Sequence, residues 1–302
     1  MKTLIEFAKL SGSGNDFICI DNRDGRYDKL LESEASIGHF ARTLCRRGMG
    51  IGADGVIFAC KPEIEGVADL AARFFEADGS ETELCGNGTA CFVHWSTLNE
   101  WTQPGKDLKI LTPAGVVRGK NGSEENVTVC IPDPFDIERE IDLVVEDRRW
   151  KCDLATVGTP HLVVPVEDIE DVDVNHWGYL LRHHERFAPR GVNVNFVETL
   201  AEGEIAIRTF EFGVEGETLA CGTGSSAAAI LTATREQWSC DYLSGRKDVQ
   251  VHARSGDMLK INFSQADDGA ITDVCLETIV RFAFIGLLEA VLAQEAVSPP
   301  IA

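Results

Sequence analysis

The stretch Ala77-Asp78-Gly79-Ser80-Glu81-Thr82-Glu83-Leu84-Cys85-Gly86-Asn87-Gly88-Thr89-Ala90-Cys91 constrains the chain most, because a second stretch echoes it: Gly213-Val214-Glu215-Gly216-Glu217-Thr218-Leu219-Ala220-Cys221-Gly222-Thr223-Gly224-Ser225-Ser226. Each copy has an acidic lead through Glu-Thr, then Cys-Gly-polar-Gly, then small and apolar residues that read as a helix. The two cysteines stand 136 positions apart (221 − 85), close to half of the 302 residues. The echo predicts a duplicated fold that brings Cys85 and Cys221 face to face.

Elementary chemistry makes such a pair of loops a candidate site. A helix that starts after Cys-Gly-x-Gly leaves backbone N–H groups free, which is an anion site, and glycines let that backbone approach a ligand closely. The N–H groups of Gly86, Asn87, Gly222 and Thr223 are then the expected holders of a carboxylate. The same positive helix end is expected to lower a cysteine pKa and make thiolate available. Two sulfurs on opposite faces of one carbon are what a racemase needs, one to take the proton and one to return it on the far side. Three plainer readings compete. The cysteines are structural residues of turns. Cys85 and Cys91 belong to a zinc site, although the second loop has no matching second cysteine and zinc sites favour closer pairs or added histidine. The loops cradle phosphate, although neither ends in the Lys-Ser/Thr of a P-loop.

Bulk properties narrow the class. Hydrophobic content of 44% suits a globular protein with a real core. A net charge of −21 argues against nucleic acid and anionic membrane as partners. Ten cysteines scattered through a long chain, often inside apolar runs, are expected to be reduced thiols of a cytoplasmic protein. The N-terminus carries Glu6 and no signal-peptide core. The longest late apolar run, 279–292, is broken by Arg281 and Glu289 and is too short for a membrane span.

Along the chain, strands are expected at 4–10, 17–20, 56–60, 71–75, 109–112, 115–119 and 126–131, with one amphipathic helix over 30–46 and a helix from Cys85 to about Leu98. Gly12-Ser13-Gly14 is no dinucleotide fingerprint, since Phe17 stands at the third glycine position. A boundary is expected near residue 122. Beyond it come strands at 141–145, 155–157, 192–199 and 205–210, helices at 174–182 and 225–236, and a hairpin over 249–263. The tail from Ile279 is expected to return to the first half, with a helix over 287–295 and fraying at Pro299-Pro300. The division is thus 1–122 plus about 279–302, and 123–278.

These motifs resemble the diaminopimelate epimerase family nearly end to end. They run through Phe7-Ala8-Lys9-Leu10-Ser11-Gly12-Ser13-Gly14-Asn15-Asp16-Phe17, Gly50-Ile51-Gly52-Ala53-Asp54-Gly55, the first cysteine loop, Gly158-Thr159-Pro160-His161, Pro189-Arg190-Gly191-Val192-Asn193-Val194-Asn195-Phe196 and the second cysteine loop, in that order. The resemblance implies an α/β (α+β) fold of two pseudo-symmetric domains, each a sheet wrapped around a central helix, with the active site in the cleft between them. It implies an amino-acid racemase or epimerase that needs no pyridoxal phosphate or other cofactor and no metal, with Cys85 and Cys221 as the two bases, one thiolate and one thiol at rest. His161 matches the family's Pro-His histidine, Glu211 the acid that holds the α-ammonium group, and Asn15 and Asn193 the asparagines that line the pocket. A small amino acid is the implied partner, and a homodimer is left open.

Two departures bear on the substrate. The family usually carries Asn where this chain has Glu76, and Glu-Arg-Gly where it has Glu211-Phe212-Gly213; that arginine grips the distal carboxylate of diaminopimelate. Phenylalanine cannot replace a bidentate arginine–carboxylate pair, and Glu76 adds a like charge. Thr159, where Asn is common, and Gly55 are weaker departures. The expectation is a substrate without a distal carboxylate, cationic or aromatic, such as histidine. Diaminopimelate itself stays the alternative if Arg190 or Arg208 takes the missing role. Two other classes are weighed: a non-catalytic amino-acid-binding protein, which has no use for two thiols, and a thiol–disulfide oxidoreductase, which lacks Cys-x-x-Cys.

Overall fold

Strand pairing in the computed structural model, which describes residues 2–122 and 125–291, repeats itself. The first circuit runs Lys2–Gly12, Asn15–Asp21, Gly55–Cys60, Leu70–Glu76, Asp107–Thr112, Gly115–Asn121 and Asn126–Cys130. It closes on one long strand, Ile271–Val291, whose residues 275–279 pair with Asn126–Cys130 and whose residues 280–291 pair with Lys2–Gly12. The second circuit runs Phe135–Val145, Arg148–Val157, Thr159–Pro165, Asn193–Ala201, Glu204–Glu211, Val249–His252 and Met258–Gln265, and ends on the first part of the same long strand. Starting from 280–291 in one half and from Phe135–Val145 in the other, the senses of pairing match step for step. They are antiparallel, antiparallel, parallel, antiparallel, parallel, antiparallel and antiparallel. The fold is mixed α+β, mostly strand, with two pseudo-symmetric halves.

A helix fills each circuit: Gly86–Leu98 in the first and Gly222–Arg235 in the second. Both are buried on nearly every side, with small, apolar and hydroxyl side chains, as befits helices wrapped by sheet. Ala90, Phe92 and Val93 of one, and Ala228, Ile230 and Leu231 of the other, are fully buried in one continuous core. Amphipathic helices cover the outer faces. Glu34–Cys45 lays Ile37, Phe40, Ala41 and Leu44 over the first half, capped at its start by the Ser33 hydroxyl. Val174–Arg182, capped by Asp173, lays Val174 and Leu181 over the second.

The structure corrects several expectations. The helix foreseen over 30–46 is two, Asp28–Leu31 and Glu34–Cys45, because Ser33 caps a fresh start. The helix foreseen over 287–295 is strand as far as Val291, its residues 287–291 held by five register pairs to 2–6; residues 292–302, with Pro299-Pro300, lie outside the described residues. Cys130 and Cys275, expected as thiols, form a disulfide where the two circuits share their antiparallel pair, with Cα atoms 3.9 Å apart and directly opposed. The other eight cysteines are free. Among the described residues no helix is long and apolar enough to cross a membrane, and no three His, Cys, Asp or Glu side chains converge as a metal site.

Candidate active site

Cys85 and Cys221 occupy the N-cap positions of the two central helices in nearly the same backbone conformation, φ −127° with ψ 116° and φ −127° with ψ 110°. The Cys85 Sγ accepts from the Gly88 N–H at 3.3 Å and the Cys221 Sγ from the Gly224 N–H at 3.4 Å. The helix starts meet head to head: a Cβ added to Gly86 would lie 3.7 Å from the Gly222 Cα, and one added to Gly222 would lie 3.1 Å from the Asn87 Oδ1. A side chain at either place would press on Leu276, and at Gly222 on Asn87 as well, so glycine keeps the junction open. The N–H groups of Gly86, Asn87, Gly222 and Thr223 have no intrahelical acceptor. Two positive helix ends repel each other unless an anion lies between them, so the junction is built for one.

Each cysteine has a carboxylate from its own half. Glu76 ends the strand Leu70–Glu76, and Glu211 ends Glu204–Glu211. Burial, then the charge of Glu211, raises the Glu76 pKa from 4.5 to about 7. Burial raises Glu211 to about 7 as well, against the Cys221 thiol and the Thr218 hydroxyl, which favour its charged form. Neither carboxylate forms an ion pair among the described residues. Burial, followed by the charges of Glu76 and Glu211, pushes the Cys85 thiol far up, and the N–H groups of Gly88 and Asn87 do not offset it. Burial and then Glu211 do the same at Cys221, over the Thr223 hydroxyl and the Gly224 N–H. The shift thus runs opposite to the lowered thiol pKa expected from the helix ends: in the ligand-free site desolvation and two carboxylates outweigh them.

The remaining expected residues divide into two polar chains. In the second half the Thr223 Oγ1 lies 3.5 Å from the Cys221 Sγ and 3.1 Å from the His161 Nε2. The His161 Nδ1 lies 3.3 Å from the Asn195 Nδ2. His161 is fully buried, and burial drops its pKa from 6.5 to about 3, so the ring is neutral. It reaches the site through Thr223 rather than by its own exposed edge. In the first half the Asn87 Nδ2 donates to the Asn15 Oδ1 at 2.7 Å, and the Asn15 Nδ2 to the Asp54 Oδ2 at 3.3 Å. Arg47 pairs with Asp54 at 2.8 Å and with Asp16, which also meets the buried Lys9 at 2.7 Å. Sequence reasoning missed Thr223 as the link to His161, and it missed the Lys9–Asp16–Arg47–Asp54 group. Its signal was present, since Lys9, Asp16 and Asp54 lie inside the quoted motifs.

Asn193 spends its side chain on the backbone and a neighbour: its Oδ1 accepts from the Phe212 N–H at 2.8 Å and its Nδ2 donates to the Thr159 Oγ1 at 3.0 Å. Phe212 is 44% exposed, and the Arg182 guanidinium lies 4.6 Å from its ring centre while pairing with Glu215. Phe212, Asn193, Thr159 and Arg190 bound one small cleft. Arg208 is elsewhere, committed to Glu217 and to the carbonyls of Ile169 and Val172.

Comparison with known proteins fits this geometry. The family model described as Diaminopimelate epimerase matches residues 7–131 and 154–273. The chain is 41% identical over 268 residues to the diaminopimelate epimerase of Aquifex aeolicus (strain VF5), covering 86% of this chain and 91% of that one. It is 33% identical over 279 residues to that of Chlorobaculum tepidum (strain ATCC 49652 / DSM 12025 / NBRC 103806 / TLS), covering 92% and 99%. Among solved structures, a probable proline racemase from Agrobacterium radiobacter K84 with bound carbonate has the same fold, with a TM-score of 0.70 at 16% identity over 98% of this chain and 94% of that one. A Bacillus anthracis phenazine biosynthesis protein of the PhzF family has it too, with a TM-score of 0.72 at 15% identity over 95% and 99%.

Proposed function

The chain belongs to the diaminopimelate epimerase family of isomerases, and from that premise we propose that it inverts the α-carbon of an amino acid with Cys85 and Cys221 as its two bases. One observation carries the reading: two cysteine N-caps on helices whose positive ends meet, with a carboxylate beside each. The α-carboxylate lies on the N–H groups of Gly86, Asn87, Gly222 and Thr223, which neutralise the charge that grows as the Cα proton leaves. One sulfur takes that proton, and the other thiol delivers its own proton to the opposite face. Before the first transfer one thiol must give up its proton to solvent, leaving a thiolate. An ammonium group bound against Glu211 and Glu76 favours this, because it cancels the carboxylate charge that helps hold both thiols protonated. Asn15, through Asn87, and His161, through Thr223, hold the two loops in place. The halves divide after Asn126–Cys130, which completes the first circuit, and not near residue 122 as expected; the returning strand 280–291 belongs with the first half.

For the side chain, Phe212 stands where a distal carboxylate would need a cation and Glu76 adds negative charge, which supports a substrate without a distal carboxylate. A second reading, diaminopimelate itself, draws support from the names of the relatives and from Arg190, which borders the Phe212 cleft with no ionic partner among the described residues. The test is exchange of the α-proton for deuterium over a panel of L-amino acids that includes LL-diaminopimelate. Exchange in none of them overturns the inversion reading. Diaminopimelate ahead of all others overturns the preference against a distal carboxylate.

A further inference from the structure

The geometry points to Glu76 as a specificity-determining residue, the pseudo-symmetric mate of Glu211, that selects a substrate whose side chain carries its own ammonium group. The assignment comes from register. In the first half Val56 pairs with Phe75 and Gly55 with Glu76, at the start of a strand that lies parallel to Asn15–Asp21. In the second half Val194 pairs with Phe210, so Glu211 falls opposite Asn193, at the start of the strand parallel to Thr159–Pro165. Both glutamates then lead, through a loop of nearly equal length, into a cysteine N-cap. The two glutamates thus hold equivalent positions of the two halves, one beside each thiol, and Glu76 does so where the resembling family usually has Asn.

The cations around Glu76 are spoken for, and Arg190, at the Phe212 cleft, is the neighbouring cation without an ionic partner among the described residues. Arg47 and Lys9 are paired with Asp16 and Asp54, Arg42 donates to the Asp78 carbonyl, and Arg182 is paired with Glu215. Asp54 and Asp78 add negative charge toward Glu76, and Asp54 does so toward Glu211. A neutral amino acid brings one ammonium group to two half-buried carboxylates and leaves one of them unpaired, which is costly. A diamino acid brings one for each, and each contact is a charge-assisted hydrogen bond. The inference rests on the inversion reading above but not on the question of a distal carboxylate, since diamino acids with and without one satisfy it equally.

The experiment compares L-lysine with L-norleucine, which matches its chain length and lacks only the second ammonium group, by α-deuterium exchange in the wild type, Glu76→Gln and Glu76→Asp. The wild type should favour lysine, and Glu76→Gln should shrink the lysine-to-norleucine ratio of kcat/KM by about 10- to 100-fold. The loss should fall chiefly on the KM for lysine, and Glu76→Asp should restore much of it. A ratio unchanged in Glu76→Gln, or a wild type that prefers norleucine, overturns the inference. If no amino acid exchanges at all, the inversion reading has failed and calorimetric binding of the same two compounds decides this one. Tighter binding of lysine, lost in Glu76→Gln, sustains it, and equal binding sinks it.

Discussion

The two halves of the site share a frame and differ in what braces it. Each half supplies a cysteine N-cap, free N–H groups and a strand-end glutamate. Behind Cys221 the bracing is neutral and sealed: Thr223, then a fully buried His161, then Asn195. Behind Cys85 it is ionic and reaches the surface: Asn87, Asn15, Asp54, then Arg47, whose side chain is 61% exposed. By register, Phe17 of the first half stands where His161 stands in the second. The lesson is that the two halves hold constant the cysteine N-caps, the free N–H groups and the strand-end glutamates, while the groups that brace them differ in kind.

The most severe way to break the comparison is to remove one sulfur. Cys85→Ala and Cys221→Ala should each lower racemisation by about a thousandfold or more, read by chiral chromatography, with the fold intact by circular dichroism. Each should still eliminate HX from an amino acid with a β-leaving group, which needs one base. Near wild-type racemisation by either variant removes the two-base mechanism. Next in size is the pair of departures from the family pattern. Phe212→Arg with Glu76→Asn should raise the preference for diaminopimelate over lysine, both diamino acids, in kcat/KM for α-deuterium exchange, by about two to three and a half decades. That is the equivalent of ~3–5 kcal/mol for completing a buried charge pair. A wild type that already favours diaminopimelate would mean that another cation takes the place of the missing arginine.

A third prediction concerns the seam between the halves. The Cys130–Cys275 bond spans a sequence separation of 145, and closing a loop of that size stabilises the fold by ~2–4 kcal/mol. Cys130→Ser should lower the urea midpoint accordingly and make it indifferent to dithiothreitol, whereas the wild type should respond to reductant. The smallest effect is one of pH. Glu76 and Glu211 have folded pKa values raised from 4.5 to about 7, so the stability they contribute is full below about 4.5 and is lost as pH rises through about 7. His161 acts oppositely, its contribution present above 6.5 and lost as pH falls toward about 3. Ligand-free Glu76→Gln should therefore melt higher than wild type at pH 8.5, by the equivalent of ~1–2 kcal/mol, and equally at pH 4.5. A gap that persists at pH 4.5 would assign the effect to packing instead.

What could be read in the residues was whatever is local. The two loops announced the central helices, since Cys-Gly-x-Gly before an apolar run has few other uses, and family membership followed from motifs in fixed order. The pairing of Cys130 with Cys275 was hidden, because neither neighbourhood says that residues 145 apart in sequence will lie opposite each other. The strand character of 287–291 was hidden for the same reason: it is imposed by Lys2–Gly12. The thiol pKa was misjudged because the helix end is visible in sequence, while burial and the opposing glutamate belong to the assembled cleft.

The long strand Ile271–Val291 also sets an order of events during synthesis. Ribosomes deliver the first half first, and domains ordinarily fold as they emerge. Here the circuit around Gly86–Leu98 lacks its closing strand until 275–291 has been made, so Lys2–Gly12 and Asn126–Cys130 must wait with one edge unpaired. At ordinary elongation rates that wait is on the order of ten seconds. During it the nascent chain presents open sheet edges and an apolar helix without a lid. The half that is translated first is thus the half most dependent on molecular chaperones, and a chain cut short before residue 280 leaves Lys2–Gly12 without its partner strand.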